Sequence, residues 1–137
     1  MTPTESAGTS PSPQNATNSA LRPTQIILHQ ASRSLELRYA DESSITLSLE
    51  YLRVHSPSAE VQGHGPGQQV LVYGKRLVNV TAIHPVGHYA IVLAFDDDHR
   101  TGIYTFSNLY ALAESYPQRW QVYLAALAAA GKSRDSD

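Results

Sequence analysis

Apolar and polar residues alternate along much of the chain, and the period of that alternation predicts its elements. The first apolar cluster is Ile26, Ile27 and Leu28, so Thr24 to Leu28 reads as a strand. Leu35, Leu37 and Tyr39 alternate with Glu36 and Arg38, the period-two signature of a half-buried strand. Asp41-Glu-Ser-Ser44 has turn chemistry, and Ile45 to Leu47 reads as a short strand. Ser48 is then an N-cap for a helix carrying Leu49, Tyr51 and Leu52. Residues 57–67 hold three Gly and two Pro, which predicts a loop. Leu77 to Ile83 is expected as a strand, Pro85-Val86-Gly87 as a turn and Tyr89 to Phe95 as an apolar strand. Asp96 to Gly102 reads as a tight polar turn and Ile103 to Phe106 as a strand. Ser107 is expected to cap a helix running through Glu114. Pro117 stands near the start of a last helix, in which Trp120, Tyr123, Leu124 and Leu127 have helical spacing.

One pattern occurs twice. Leu37-Arg-Tyr39-Ala-Asp41 is followed by Thr46-Leu47-Ser48-Leu-Glu-Tyr51, and Leu93-Ala-Phe95-Asp-Asp97 by Thr105-Phe106-Ser107-Asn-Leu-Tyr110. The offset between the copies grows from 56 to 59, which predicts a second turn longer by three residues. The expected fold is α+β: a small mixed or antiparallel sheet with helices packed on it, with two similar strand-turn-strand-helix units sharing that sheet.

Composition narrows the classes. A chain of 137 residues with 42% hydrophobic content suits a single domain with a modest core. Residues 1–23 are rich in Thr, Ser, Pro, Asn and Ala and are expected to be a disordered tail. That leaves a single domain over 24–130 and a flexible tail over 131–137. A formal net charge of -2 argues against a general nucleic-acid binder, which needs a basic face for phosphates. No run approaches the roughly 18 to 20 apolar residues of a membrane span. The N-terminus lacks a basic start followed by an apolar stretch, so the default location is cytoplasmic. With no cysteine, disulfides and thiolate metal sites are impossible.

The candidate chemistry is sparse. The six histidines are His29, His55, His64, His84, His88 and His99, and none begins a local metal motif. The run Asp96-Asp97-Asp98-His99 places Arg100 where a calcium loop would want an acid, so it reads as a turn, with a docking surface as the alternative. Asp97 and His99 are expected to form a hydrogen-bonded pair that presents Arg100 outward, with the charged imidazole favoured by its acidic neighbours. The alternative is that His99 packs against Tyr104. Gly63-His64-Gly65-Pro66-Gly67 lacks the Lys and Ser/Thr of a phosphate-cradling loop. Lys75 and Arg76 beside it could bind an anion or simply be solvated. Ser56 and Ser58 flank Pro57 after His55, with no nucleophile elbow.

Two blocks carry a family likeness. They are Tyr51-Leu-Arg-Val-His-Ser-Pro-Ser-Ala-Glu-Val-Gln-Gly-His-Gly-Pro-Gly67 with Gly74-Lys-Arg76, and His84-Pro-Val-Gly-His-Tyr-Ala90 with Leu93-Ala-Phe-Asp-Asp-Asp-His-Arg-Thr-Gly-Ile-Tyr104. Together they resemble the DUF971 family, the γ-butyrobetaine hydroxylase-like N-terminal domain, over about Thr24 to Glu114. In the hydroxylases that domain precedes an iron and 2-oxoglutarate-dependent catalytic domain, and similar domains are fused to P-loop ATPases carrying iron–sulfur clusters. In the hydroxylases the domain holds a structural zinc through three Cys and one His, and the resemblance matches those positions to Ser56, Ser58, Val61 and His99. The resemblance therefore implies no zinc here, and no cofactor is expected. Asp98 stands where the family usually has Gly, and Phe106 where Trp is common.

These readings converge on a non-enzymatic binding or accessory module with a protein partner, without nucleic acid or membrane. The resemblance adds a link to iron–sulfur or cofactor metabolism, with an in-trans N-terminal component of a 2-oxoglutarate-dependent oxygenase as the alternative. The expected contact surface is His99, Asp97, Arg100 and Arg53, with the Gly63–Gly67 loop including His64, and Lys75 and Arg76 beside it.

Overall fold

The computed structural model describes residues 21–63 and 70–135. Most of the predicted N-terminal tail and most of the Gly-rich loop, His64 included, lie outside the described residues. The first half forms strands β1 (Gln25–His29), β2 (Ser34–Arg38) and β3 (Ser44–Ser48), then helices α1 (Leu49–Val54) and α2 (Ala59–Gln62). The second half repeats the scheme with β4 (Val80–Val86), β5 (Ala90–Phe95), β6 (Ile103–Thr105), α3 (Phe106–Glu114) and α4 (Tyr116–Ala130). Both sheets are three-stranded antiparallel meanders, in the orders β1-β2-β3 and β4-β5-β6. The repeat is thus a strand-strand-strand-helix unit, and the two copies form separate sheets rather than sharing one.

The register of the hairpins aligns the copies. Ser34 faces Ser48 in the first and Ala90 faces Thr105 in the second, so the offset grows only from 56 to 57. The helix cap explains the difference from the expected three residues. Thr105, not Ser107, is the N-cap of α3, accepting from the Asn108 N–H as Ser48 accepts from the Tyr51 N–H in α1. The turns themselves match residue for residue. Tyr39 N–H donates to Ser43 O and Glu42 N–H to Tyr39 O, while Phe95 N–H donates to His99 O and Asp98 N–H to Phe95 O. Asp41 and Asp97 each accept a backbone N–H two residues on, from Ser43 and His99. Glu42 and Asp98 both adopt φ 70, so the position where the family favours Gly is a left-handed one. The single extra residue of the second copy falls between His99 and Thr105.

Other differences from the sequence reading have local causes. Pro85 lies inside β4, where it is tolerated because β4 is an edge strand. The short helix α2 forms within the predicted loop, where Ser58 O accepts from Val61 and Gln62 N–H groups. Gly131, at φ 67, ends α4 in a left-handed C-cap.

The core lies between the units. Leu35, Leu37 and Leu47 from the first sheet meet Val80, Ile91, Leu93, Phe95 and Tyr104 from the second, closed by Leu49, Tyr51 and Leu52 of α1 and Leu109 and Leu112 of α3. Two buried tyrosines cross-link the halves. Tyr51 donates to Leu112 O and Tyr104 to Leu52 O, each at 2.6 Å. A smaller cluster of Val54, Tyr123 and Leu127 seats α4.

Residues 131–135, composed like a tail, are tied down. Gly74 N–H donates to Ser133 O and Arg76 N–H to Arg134 O. Arg134 forms a two-pronged pair with Glu50, Nε to Oε2 at 2.8 Å and Nη2 to Oε1 at 2.7 Å, and its guanidinium lies 5.1 Å from the Trp120 ring centroid. The Glu50 side chain is only 5% exposed, so it depends on this partner. Replacing Arg134 with Met should therefore lower stability by about 3 kcal/mol, the smaller end of the cost of breaking a buried pair because Arg134 is partly solvated. Denaturant unfolding of the two proteins measures it, and the double variant Arg134→Met/Glu50→Gln should recover part of the loss.

Candidate functional site

Three segments converge behind the β5–β6 turn: the end of α1, the Ser56–Gln62 stretch and residues 97–101. His99 is the hub, its side chain only 2% exposed. Its Nε2 lies 2.8 Å from Ser56 Oγ and its Nδ1 3.0 Å from Glu60 Oε1. The tautomer that satisfies both partners carries its proton on Nδ1, donates to the Glu60 carboxylate and accepts the Ser56 hydroxyl at Nε2. Ser56 Oγ in turn accepts from the Ser58 N–H. Ser58 Oγ sits 2.7 Å from Thr101 Oγ1, which donates to Glu60 Oε2, and Ser58 Oγ accepts from the Glu60 N–H. Gly102 makes this approach feasible, since a Cβ there would collide with Ser56 Oγ.

A second cluster adjoins the first. Asp97 Oδ2 receives Arg53 Nε at 2.9 Å and Lys75 Nζ at 2.6 Å, while Asp97 Oδ1 receives the His99 N–H. Burial opposes ionisation of Asp97, but Lys75 and Arg53 outweigh it and hold the carboxyl below its usual range. Arg53 Nη1 is buried without a hydrogen-bond partner among the described residues.

The structure thus brings His99, Asp97, Arg53 and Lys75 together, as components of a largely buried junction. Arg100 stands at the turn tip, its side chain 64% exposed beside Asp98 at 94%. Arg76 turns elsewhere and pairs with Asp135. His64 lies outside the described residues. The expected Asp97–His99 pair exists only through the His99 backbone; the imidazole faces Ser56 and Glu60, and its ring packs 6.1 Å from Phe95. The expectation that its neighbours favour the charged imidazole is also corrected. Burial, with Arg53 close by, outweighs Glu60 and Asp97 and pushes the His99 pKa below 6.5.

Sequence reading placed Ser56 beside His55 and missed its true partner, 43 residues away. The one available signal was the family pattern, which matches Ser56 and His99 to ligands of a single metal. A zinc does not fit these residues. Ser56 Oγ and His99 Nε2 already touch as a hydrogen-bonded pair, Ser58 is engaged with Thr101, and Val61 offers no donor. The serine–histidine–carboxylate order has the form of a nucleophile relay. Ser56, however, is fully buried, which closes its hydroxyl to a substrate.

The buried His99, the half-buried His55 and the donor set lead to two measurable outcomes. His99 and His55 both have depressed pKa values, each chiefly through burial. Their neutral forms stabilise the fold fully above the ordinary imidazole value of 6.5, and the unfolded chain gains protons first as pH falls below it. Melting temperature should fall from pH 7.5 to pH 5, and His99→Gln should flatten that slope; an unchanged slope would remove His99 as its cause. Chelator should leave the dispersed amide spectrum of the protein unchanged, and loss of dispersion would show that a metal is held after all.

The comparisons with known proteins identify the family. The family model described as gamma-butyrobetaine hydroxylase-like, N-terminal, matches residues 26–110. No curated protein matches the chain. One similar protein, solved by NMR in solution, is 54% identical, with 84% of this chain and 90% of that one covered and a TM-score of 0.71. A second NMR structure is 47% identical, with 91% of each chain covered and a TM-score of 0.74. A crystal structure from Acidithiobacillus ferrooxidans, a protein of unknown function of the DUF971 family, is 39% identical, covers 68% of this chain and 93% of its own, and has a TM-score of 0.57. Sequence, strand scheme and family match together make the chain a member of the DUF971 family, the γ-butyrobetaine hydroxylase-like N-terminal domains.

Proposed function

We propose that this chain is a non-enzymatic, cytoplasmic binding module that docks a protein partner through the tip of the β5–β6 turn. The observation that carries the reading is the contrast across that turn. On its inner side the reactive groups are consumed by one another: Ser56, His99, Glu60 and Thr101 in one cluster, Asp97, Arg53 and Lys75 in the next. On its outer side Asp98 and Arg100 are exposed on a backbone held by those clusters. A rigid, charged tip loses little entropy on docking. Arg53, Asp97 and His99 act here as positioning residues, and Arg100 with Asp98 makes contact.

The class of partner rests on the family likeness. An accessory role in iron–sulfur or cofactor metabolism is the first assignment; lacking Cys, the chain would assist a cluster-holding partner rather than hold one by thiolates. The description of the matching family favours a second, in which the chain serves in trans as the N-terminal component of a 2-oxoglutarate-dependent oxygenase.

Affinity capture from the native host tests both. Wild-type bait should retain a defined partner, and Arg100→Glu should weaken retention about tenfold or more at unchanged melting temperature. A cluster-assembly protein among the captured species supports the first assignment, and an oxygenase lacking its own N-terminal domain supports the second. Equal retention by Arg100→Glu would move docking away from the turn. Labelling of Ser56 by a fluorophosphonate probe would contradict the non-enzymatic reading.

A further inference from the structure

A cavity of about 510 Å³ lies between the end of α1, helix α2 and the middle of α4, and neither Asp98 nor Arg100 lines it. Its size is that of a small-molecule site. Val54, Val61, Leu71, Val122, Tyr123 and Ala126 give it apolar walls. The polar lining is His55, Arg119 and two glutamines, with no acidic residue among the described residues.

The two basic groups are prepared differently. Arg119 uses its Nε on Ser115 Oγ at 2.7 Å, and its terminal nitrogens have no partner among the described residues. His55 is anchored by Nδ1, which donates to Tyr51 O at 3.1 Å, so its Nε2 is left as an acceptor in the neutral ring. Burial first, and the nearby Arg119 charge as well, keep that ring neutral. Arg119 is therefore the one full positive charge on the lining among the described residues.

Residues 64–69 read His-Gly-Pro-Gly-Gln-Gln, and residues 1–20 contain no Val, Leu, Ile or aromatic side chain. Val122 remains 69% exposed and Val70 52%, so apolar surface is left facing water.

We propose that this cavity binds a small amphipathic monoanion, its apolar body against Val54, Val61, Leu71 and Val122 and its carboxylate on Arg119. A cation is disfavoured because no carboxylate lines the site. A polyphosphate is disfavoured because one guanidinium cannot neutralise several charges. A hydroxyl beside the carboxylate would find an acceptor in His55 Nε2. The site is separate from the turn tip, so failure of the docking reading leaves it standing.

Titration of the full chain with decanoate, followed through its amide NMR signals, tests the proposal. Binding should saturate, with the largest shifts at Val54, His55 and residues 118–126. Decyltrimethylammonium, with the same tail and the opposite charge, should bind about tenfold or more weakly. Arg119→Gln should weaken decanoate by a similar factor while leaving decanol unaffected. Ala126→Trp fills the cavity and should abolish binding. Val122→Asp, at an exposed position, should do the same by repulsion and serves if the Trp variant fails to fold. Arg100→Glu should leave decanoate binding unchanged. Absence of saturation, equal affinity for the two charged amphiphiles, or shifts mapping elsewhere would overturn the proposal. So would a concentration-dependent dimer that Val122→Asp dissolves, since the groove would then be an interface between copies.

Discussion

The burial of α1 is the constraint on which the rest of this structure depends. A helix of six residues has no stability of its own in water, because the cost of nucleation exceeds what so few hydrogen bonds return. It persists because Leu49, Glu50, Tyr51, Leu52 and Val54 are all buried, and nearly every residue reaches a different part of the fold. Glu50 takes Arg134 from the C-terminal segment, Tyr51 reaches α3 and Leu52 receives Tyr104 from β6. Arg53 meets Asp97 on the β5–β6 turn, and Val54 opens the second apolar cluster. Helix and surroundings thus stabilise each other, and disturbance of one contact is felt at several others.

Internal repetition explains why a short helix can occupy that place. Each unit buries one face of a three-stranded meander, and the residues of both faces join in a single core. The units pack with their aliphatic strands facing inward and their capping helices, α1 and α3, crossing the join. The copies then diverge at one structural position. Ser43 in the first turn is exposed, whereas its counterpart His99 is buried against Ser56 and Glu60. With one further residue before β6, the second turn is built to engage a partner segment within the chain, while the first simply reverses direction.

That engagement separates the molecule into a closed polar region and an open apolar one. In the closed region every hydroxyl, imidazole and carboxylate of the Ser56 cluster has a partner, the condition under which buried polar groups add rigidity instead of cost. The open region, around His55 and Arg119, has apolar walls and unspent donors. A rigid turn and a lined cavity are compatible with a scaffold that binds at two places, since α1 supports both.

Local chemistry was sufficient for the existence of the six strands, though not for the end of β4 at Pro85 and Val86, and for the Ser48 cap and the last helix, because alternation, capping hydroxyls and turn residues act within a few positions. The left-handed position at Asp98 was signalled only by the family's usual Gly. The repeat was visible in the spacing of Leu37, Tyr39 and Asp41 against Leu93, Phe95 and Asp97, although the choice of Ser107 over Thr105 as the cap misplaced two residues of its length. What the tertiary structure alone decided is pairing across distance. His99 chooses Ser56 and Glu60 over the adjacent Asp97, whose carboxylate is claimed by Arg53 and Lys75. Arg134 is drawn out of a tail-like composition by a buried Glu50. The cavity beside His55 exists because α4 stands off from α1 and α2. Each outcome is set by desolvation and packing between segments tens of residues apart, terms that have no period and leave no mark on neighbouring residues.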